Sequence, residues 1–347
     1  MSMIFCRCRK RTYAICAGAL TALALLAGGL WYGLTSGPVI QSAFANPAWW
    51  KMEWSKTDFS RHSVDYSEIM SGGPPKDGIP SIDNPKFVHI SEAKGLGERE
   101  PVIGLVINGD ARAYPLRILM WHEIVNDTVG GVPVTVTFCP LCNTAIVFDR
   151  RLECRVLDFG TTGKLRNSDL VMYDRQTESW WQQFLGEAIV GELTGKRLTM
   201  LPSRIESLAN FRKRLPEGRL LVPSNPRKGR YGRNPYVRYD GSRWPMLFNG
   251  EGPQGIAPLA RVVSVGDEAW SLELVREKKK ITKGDLVITW EPGQNSALDS
   301  AVISQGRDVG NVVVQRQTEN GLVDVVYGVD FAFAYHAFRP DAVIHTQ

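Results

Sequence analysis

Histidine and cysteine are scarce in this chain, with 5 and 6 copies in 347 residues. No Gly-x-Ser-x-Gly and no His-Glu-x-x-His occurs. Those absences remove the nucleophile-elbow hydrolases and the helical two-histidine zinc proteases. The net charge is only +5, and no basic stripe is interleaved with aromatics. Nucleic-acid binding therefore has little support. Gly160-Thr161-Thr162-Gly163-Lys164 has the wrong spacing for a phosphate loop, and Leu165 stands where a magnesium-binding hydroxyl would be.

What is present begins with a basic cluster, Arg7, Arg9, Lys10 and Arg11, followed by an uncharged run from Tyr13 to Leu34. About 20 apolar residues suffice to cross a bilayer as a helix, and positive charge before the span predicts N-in. The expectation is a single-pass anchor over residues 13–34 in the inner or plasma membrane. A cytoplasmic segment would cover 1–12, and the main domain would be extracytoplasmic, in the periplasm. Ala43-Phe44-Ala45 also fits a small-residue cleavage pattern, which would make the protein secreted. On this reading only Cys139, Cys142 and Cys154 are exported, since Cys6, Cys8 and Cys16 lie before or inside the span. Three thiols are too few for a disulfide scaffold, and an odd number leaves one unpaired within the chain.

The remaining residues have an ordinary globular composition, long enough for a large core or two small domains. Residues 46–100 read as an irregular lead-in, broken by Gly72-Gly73-Pro74-Pro75 and Gly78-Ile79-Pro80. Val102–Ile107 and Ala111–Tyr114 predict a hairpin around Asn108-Gly109. A short helix is expected from Leu116 to about Asn126, then strands over 132–138 and 144–148. Two strands are expected between Val156 and Tyr173, around Gly160–Gly163. Ile189–Leu201 suggests a hairpin, and Ile205–Leu215 a surface helix. Residues 227–258 read as a linker or long loop. After it, Val262–Leu272 parallels Leu105–Leu116, and Val287–Ala297 parallels Thr135–Ala145. Glu291 and Gln294 stand in the places of Cys139 and Cys142. The expected fold is α+β and β-rich, with two related halves, 101–226 and 259–347, from an internal duplication.

The chemistry concentrates at Cys139-Pro140-Leu141-Cys142, directly after a β-branched run. A CxxC pair forms a structural disulfide, a redox-active dithiol, or half of a metal site. A thioredoxin fold is excluded, because Thr144–Phe148 favours strand and no βαβ alternation follows. His122 is the neighbour with the most to offer, as a thiol-activating base or proton shuttle. Two cysteines and a histidine would also suit zinc or copper, with Cys154, Glu123 or Asp127 as candidate fourth ligand. A second polar cluster, Asp174, Arg175, Thr177 and Ser179, is a candidate cleft lining together with Glu123 and Asp127. Its bland alternative is a structural salt bridge at a strand end.

Three runs carry a resemblance: Gly109–Leu116, Trp121–Asp127 and Val136–Cys142. Asn167–Ser179 and Gly186–Gly191 extend it. The chain resembles the bacterial domain of unknown function family numbered 3179 over most of its exported part. The resemblance supplies no activity, but it implies selenocysteine at the CxxC-like site of some relatives. That would favour redox chemistry, because selenium is the better nucleophile and leaving group. The leading expectation is therefore thiol redox activity, with Cys139 attacking, Cys142 resolving and His122 moving the proton. The alternatives are copper or zinc binding through Cys139, Cys142 and His122, and a non-catalytic interaction module stapled by a CxxC disulfide. The expected partners are a thiol or metal-exchange partner and, through the N-terminal helix, the membrane.

Overall fold

A computed structural model describes residues 47–224 and 230–347. Strands dominate. They form five blade-like sheets of four or five strands and a small two-stranded ribbon, the element content of a five-bladed β-propeller. The only α-helices among the described residues are a four-residue turn at Pro47–Trp50 and four helices of seven residues each.

The hairpin around Asn108-Gly109 forms as expected, with Pro101–Ile107 pairing antiparallel to Asp110–Pro115. Asn108 and Gly109 both take positive φ, 50° and 81°, as a tight hairpin turn requires. The helix that follows is shorter than predicted. It runs Leu116–His122 and stops at Glu123, whose φ is 56°. Ile124 and Val125 then turn to strand and pair with Thr137 and Val136. The β-branched partners opposite them outweigh continued helix. The CxxC strand, Val132–Cys139, sits centrally in its sheet between Ile124–Val129 and Thr144–Asp149, with Met200–Leu201 at the edge.

The strands expected between Val156 and Tyr173 are Phe159–Arg166 and Asp169–Asp174. Their turn is Asn167-Ser168, not Gly160–Gly163, where the register slips in a bulge between Thr161 and Lys164. Trp180–Gln182 and Glu187–Val190 continue this meander, and Ile69–Ser71 closes its other edge. Part of the lead-in packs on it, with Trp50, Trp54 and Phe59 burying around Trp180. The surface helix predicted from Ile205 is a strand, Arg204–Ser207, followed by a helix, Leu208–Arg214, whose start Ser207 caps.

The two-halves α+β reading does not hold. Two sheets do share a plan. In each, an antiparallel hairpin (101–115 or 261–271) gains a parallel strand, Arg219–Val222 or Val343–His345. In each, a seven-residue helix leads to the next strand, Leu116–His122 or Leu272–Lys278. The likeness is one of sheets, the recurring unit of this architecture. The five-stranded sheet made of Ile69–Ser71 and the four strands of residues 159–190 stands outside it, and no internal duplication of the chain is shown.

The expected membrane anchor is also not carried forward. Among the described residues no helix is long and apolar enough to cross a membrane. A seven-residue helix spans only about 10 Å against a hydrocarbon core of about 30 Å. The segment 13–34, on which the anchor and the extracytoplasmic placement rested, lies outside the described residues.

Candidate functional site

The strand Val132–Cys139 ends by delivering Cys139 into the core, 2% exposed, and the turn brings Cys142 back fully buried. Asn143 takes φ 53° and lets the chain reverse into Thr144–Asp149. The neighbouring sheet supplies the third group. The Asn167-Ser168 turn starts the strand Asp169–Asp174, and its first residue, Asp169, is fully buried beside both thiols. One ligand atom from each of Cys139, Cys142 and Asp169 lies within 4.8 Å of the others. All three cysteines among the described residues are free thiols.

Asp169 is held from behind. Gln182 Nε2 and the Phe184 amide donate to its Oδ2, at 2.5 and 2.9 Å. Oδ1 has no hydrogen-bond partner of good geometry, although both thiols are close enough to ease ionisation of the carboxyl. Burial dominates and pushes the Asp169 carboxyl up to about 7. Glu123, just past the helix end, is also buried. Burial and the nearby Asp169 push its carboxyl up to about 8. Its carbonyl accepts the Phe138 amide at 2.8 Å, which ties the helix end to the CxxC strand. Burial likewise raises the Cys139 thiol, and raises the Cys142 thiol well above its ordinary value. Four acidic groups thus share one dry neighbourhood, and their neutral forms are favoured together.

A strap closes this neighbourhood. The described residues 230–258 contain one 3-10 turn, Tyr239–Gly241, and an isolated bridge from Arg233 to Val302. Tyr239 donates its hydroxyl to Leu141 O at 3.0 Å, inside the CxxC turn. The Met246 amide donates to that hydroxyl at 3.3 Å, and Ser168 Oγ donates to Met246 O at 2.7 Å.

The other expected residues sit elsewhere. His122 is not in the thiol group: its Nδ1 contacts Pro80 O at 2.7 Å and its Nε2 the Tyr231 hydroxyl at 2.8 Å. Burial lowers its proton affinity. Asp127 takes a bidentate contact from Arg112 at 2.6 Å and a hydrogen bond from the Tyr114 hydroxyl at 2.7 Å. Cys154 is exposed and belongs to no metal-ligand group among the described residues. Asp174 is fully buried, but it orders its own turn. Its oxygens accept from the Thr177 amide and hydroxyl and from Trp181 Nε1. Thr177 and Ser179 hydroxyls bond each other at 2.8 Å. Arg175 pairs with Asp83 at 2.6 Å rather than with Asp174. Of the site residues named from sequence, the structure brings together Cys139 and Cys142, with Glu123 close by. It adds Asp169, which sequence reasoning missed.

Neither a curated protein nor a solved structure matches the chain. A family model, described as protein of unknown function DUF3179, matches residues 76–342, a span that contains Cys139, Cys142, Asp169 and the strap. The chain belongs to that family.

Proposed function

We propose that this protein binds one zinc-class metal ion through Cys139, Cys142 and Asp169. The observation that carries the reading is the convergence of three buried donor atoms within 4.8 Å of one another. Zinc takes thiolate at about 2.3 Å and carboxylate at about 2.0–2.2 Å. A small inward movement of the side chains suffices. Oδ1 of Asp169 is buried without a hydrogen-bond partner.

The electrostatics point the same way. A nucleophilic redox cysteine needs a depressed pKa, supplied by a cation or a helix N-terminus. Here burial and acidic neighbours raise both thiols. A bound cation reverses that sign and deprotonates a coordinating thiol outright. A thiol-thiol-carboxylate set with one position left is also the donor count of a site that keeps room for an exchangeable ligand. Glu123, whose charge acts on Cys139 and is acted on by Asp169, would serve as fourth ligand or as proton acceptor. The hydrogen bonds of His122 leave it outside the set.

One observation favours a second reading, dithiol–disulfide exchange. Asp169, pushed up to about 7 beside both thiols, is a suitable proton acceptor for a resolving cysteine. In that case two electrons and two protons leave the dithiol as the Cys139–Cys142 bond forms, and a thiol-disulfide partner takes them.

Metal analysis of the full chain purified with thiols protected decides between them. About one zinc per chain, lost in Cys142→Ser and weakened in Asp169→Asn, supports the metal reading. Absence of bound zinc after exposure to micromolar zinc overturns it. A reversible dithiol midpoint above about −300 mV in that same metal-free protein would favour exchange.

A further inference from the structure

A cavity of about 300 Å³ opens beside the CxxC sheet, between Thr144–Val147 on one strand and Gly328 and Asp330 on another. Its walls include Val147, Phe184, Leu201, Tyr327 and Tyr335. Asp330 is among its lining residues and is 2% exposed. The Thr144 hydroxyl donates to its Oδ1 at 2.9 Å and the Ser264 hydroxyl to its Oδ2 at 2.7 Å. Each carboxylate oxygen has one neutral donor and a lone pair left over. Asp330 forms no salt bridge among the described residues. Arg339, at the cavity wall, pairs with Asp267 instead.

Glycine at 328 is a condition of this arrangement. A Cβ there would stand 2.2 Å from Asp330 Oδ2 and 2.6 Å from Ser264 Oγ. Its backbone does not take the positive φ that would otherwise call for glycine. The carboxylate reaches its position because residue 328 has no side chain.

An ionised carboxylate in such a recess is costly unless a cation meets it. Aromatic walls around a buried anion are suited to an organic ammonium, which donates hydrogen bonds to the carboxylate and lies against ring faces. We infer that this cavity binds a small organic cation, a primary amine on a compact apolar body, with Asp330 as its anchor. Asp330 is not one of the three proposed ligands, although its charge acts on Cys142 and the Thr144 hydroxyl touches both residues.

Calorimetric titration of the full chain with benzylamine and, separately, with benzyl alcohol tests it. The two probes share their apolar body and differ in the charged head. Benzylamine should bind saturably and at least about tenfold tighter than the alcohol, about 1.4 kcal/mol. Asp330→Asn, shown folded by its thermal transition, should lose at least that factor for benzylamine and little for the alcohol. Equal binding of the two probes, no saturable binding of benzylamine, or unchanged affinity in folded Asp330→Asn would each overturn the assignment. The comparison of probes needs no variant, so a misfolded Asp330→Asn would still leave a decisive result.

Discussion

The Cys139 thiol donates to the carbonyl of Ser168 at 3.7 Å, joining the end of one sheet's central strand to the turn of another. Asp169 follows Ser168 directly, so this contact also sets the carboxyl beside the thiols. The site therefore depends on how two sheets are juxtaposed.

That dependence should appear in the pH response of the metal-free protein. Asp169 and Glu123 ordinarily titrate at 3.8 and 4.5, and here burial pushes them up to about 7 and about 8. Between those limits the folded state holds protons that the unfolded chain has released. Stability is then fully present below about pH 4 and falls as pH rises toward about 8. Urea midpoints measured with a chelator across that range should decline. Asp169→Asn should flatten the lower part of the decline, and a profile flat in the unmodified protein would contradict the assignment.

Zinc should act in the opposite direction. Binding releases thiol and carboxyl protons, so affinity rises with pH. At a free concentration of about 100 times Kd, a ligand specific for the folded state adds about 2.7 kcal/mol. The thermal midpoint should therefore climb with zinc in the unmodified chain and stay fixed in Cys142→Ser. Equal shifts in both would place the ion elsewhere.

His122 offers a contrast. Its ring is engaged on both nitrogens, by Pro80 O and the Tyr231 hydroxyl, and it stacks on Tyr231 at 5.8 Å between centroids. His122→Gln should cost about 1 kcal/mol of stability through the lost contacts. Zinc affinity should change by less than about threefold, since 1.4 kcal/mol is needed for a factor of ten. A larger loss of affinity in the calorimeter would return His122 to the site.

Gly163 provides a purely structural check. Its φ is 69°, and a Cβ there would lie 1.9 Å from Pro74 O. Gly163→Ala has neither the backbone conformation nor the space, and should cost at least about 2 kcal/mol in denaturant unfolding. A neutral result would mean that the Pro74 turn is free to move away from the bulge.

Local signals were legible where the chemistry is local. Asn108-Gly109 announced its hairpin, and the β-branched run before Cys139 announced its strand. The helix is shorter than its sequence suggests because Ile124 and Val125 pair with Thr137 and Val136, partners that the local sequence does not show. Asp169 was missed for a related reason. It sits in a run, Asp169–Asp174, in which every residue is buried. An acid opening a fully buried strand is unusual, and that was its available signal. Nothing near it in sequence mentions the thiols it meets. The anchor expectation failed to carry forward for a different reason, since it rested on a segment beyond the described residues.

The strap gives the site a clock. Two hydrogen bonds tie it down, one from Tyr239 to the CxxC turn and one between Met246 and the Asp169 turn, and a third joins Met246 to Tyr239 within the strap. On the proposed metal reading, an ion that reaches the buried thiols past this strap would wait for those bonds to part. Departure is then timed by local opening of the chain. A weakly held ion would still leave slowly, and two ligands of very different affinity would exchange at nearly the same rate.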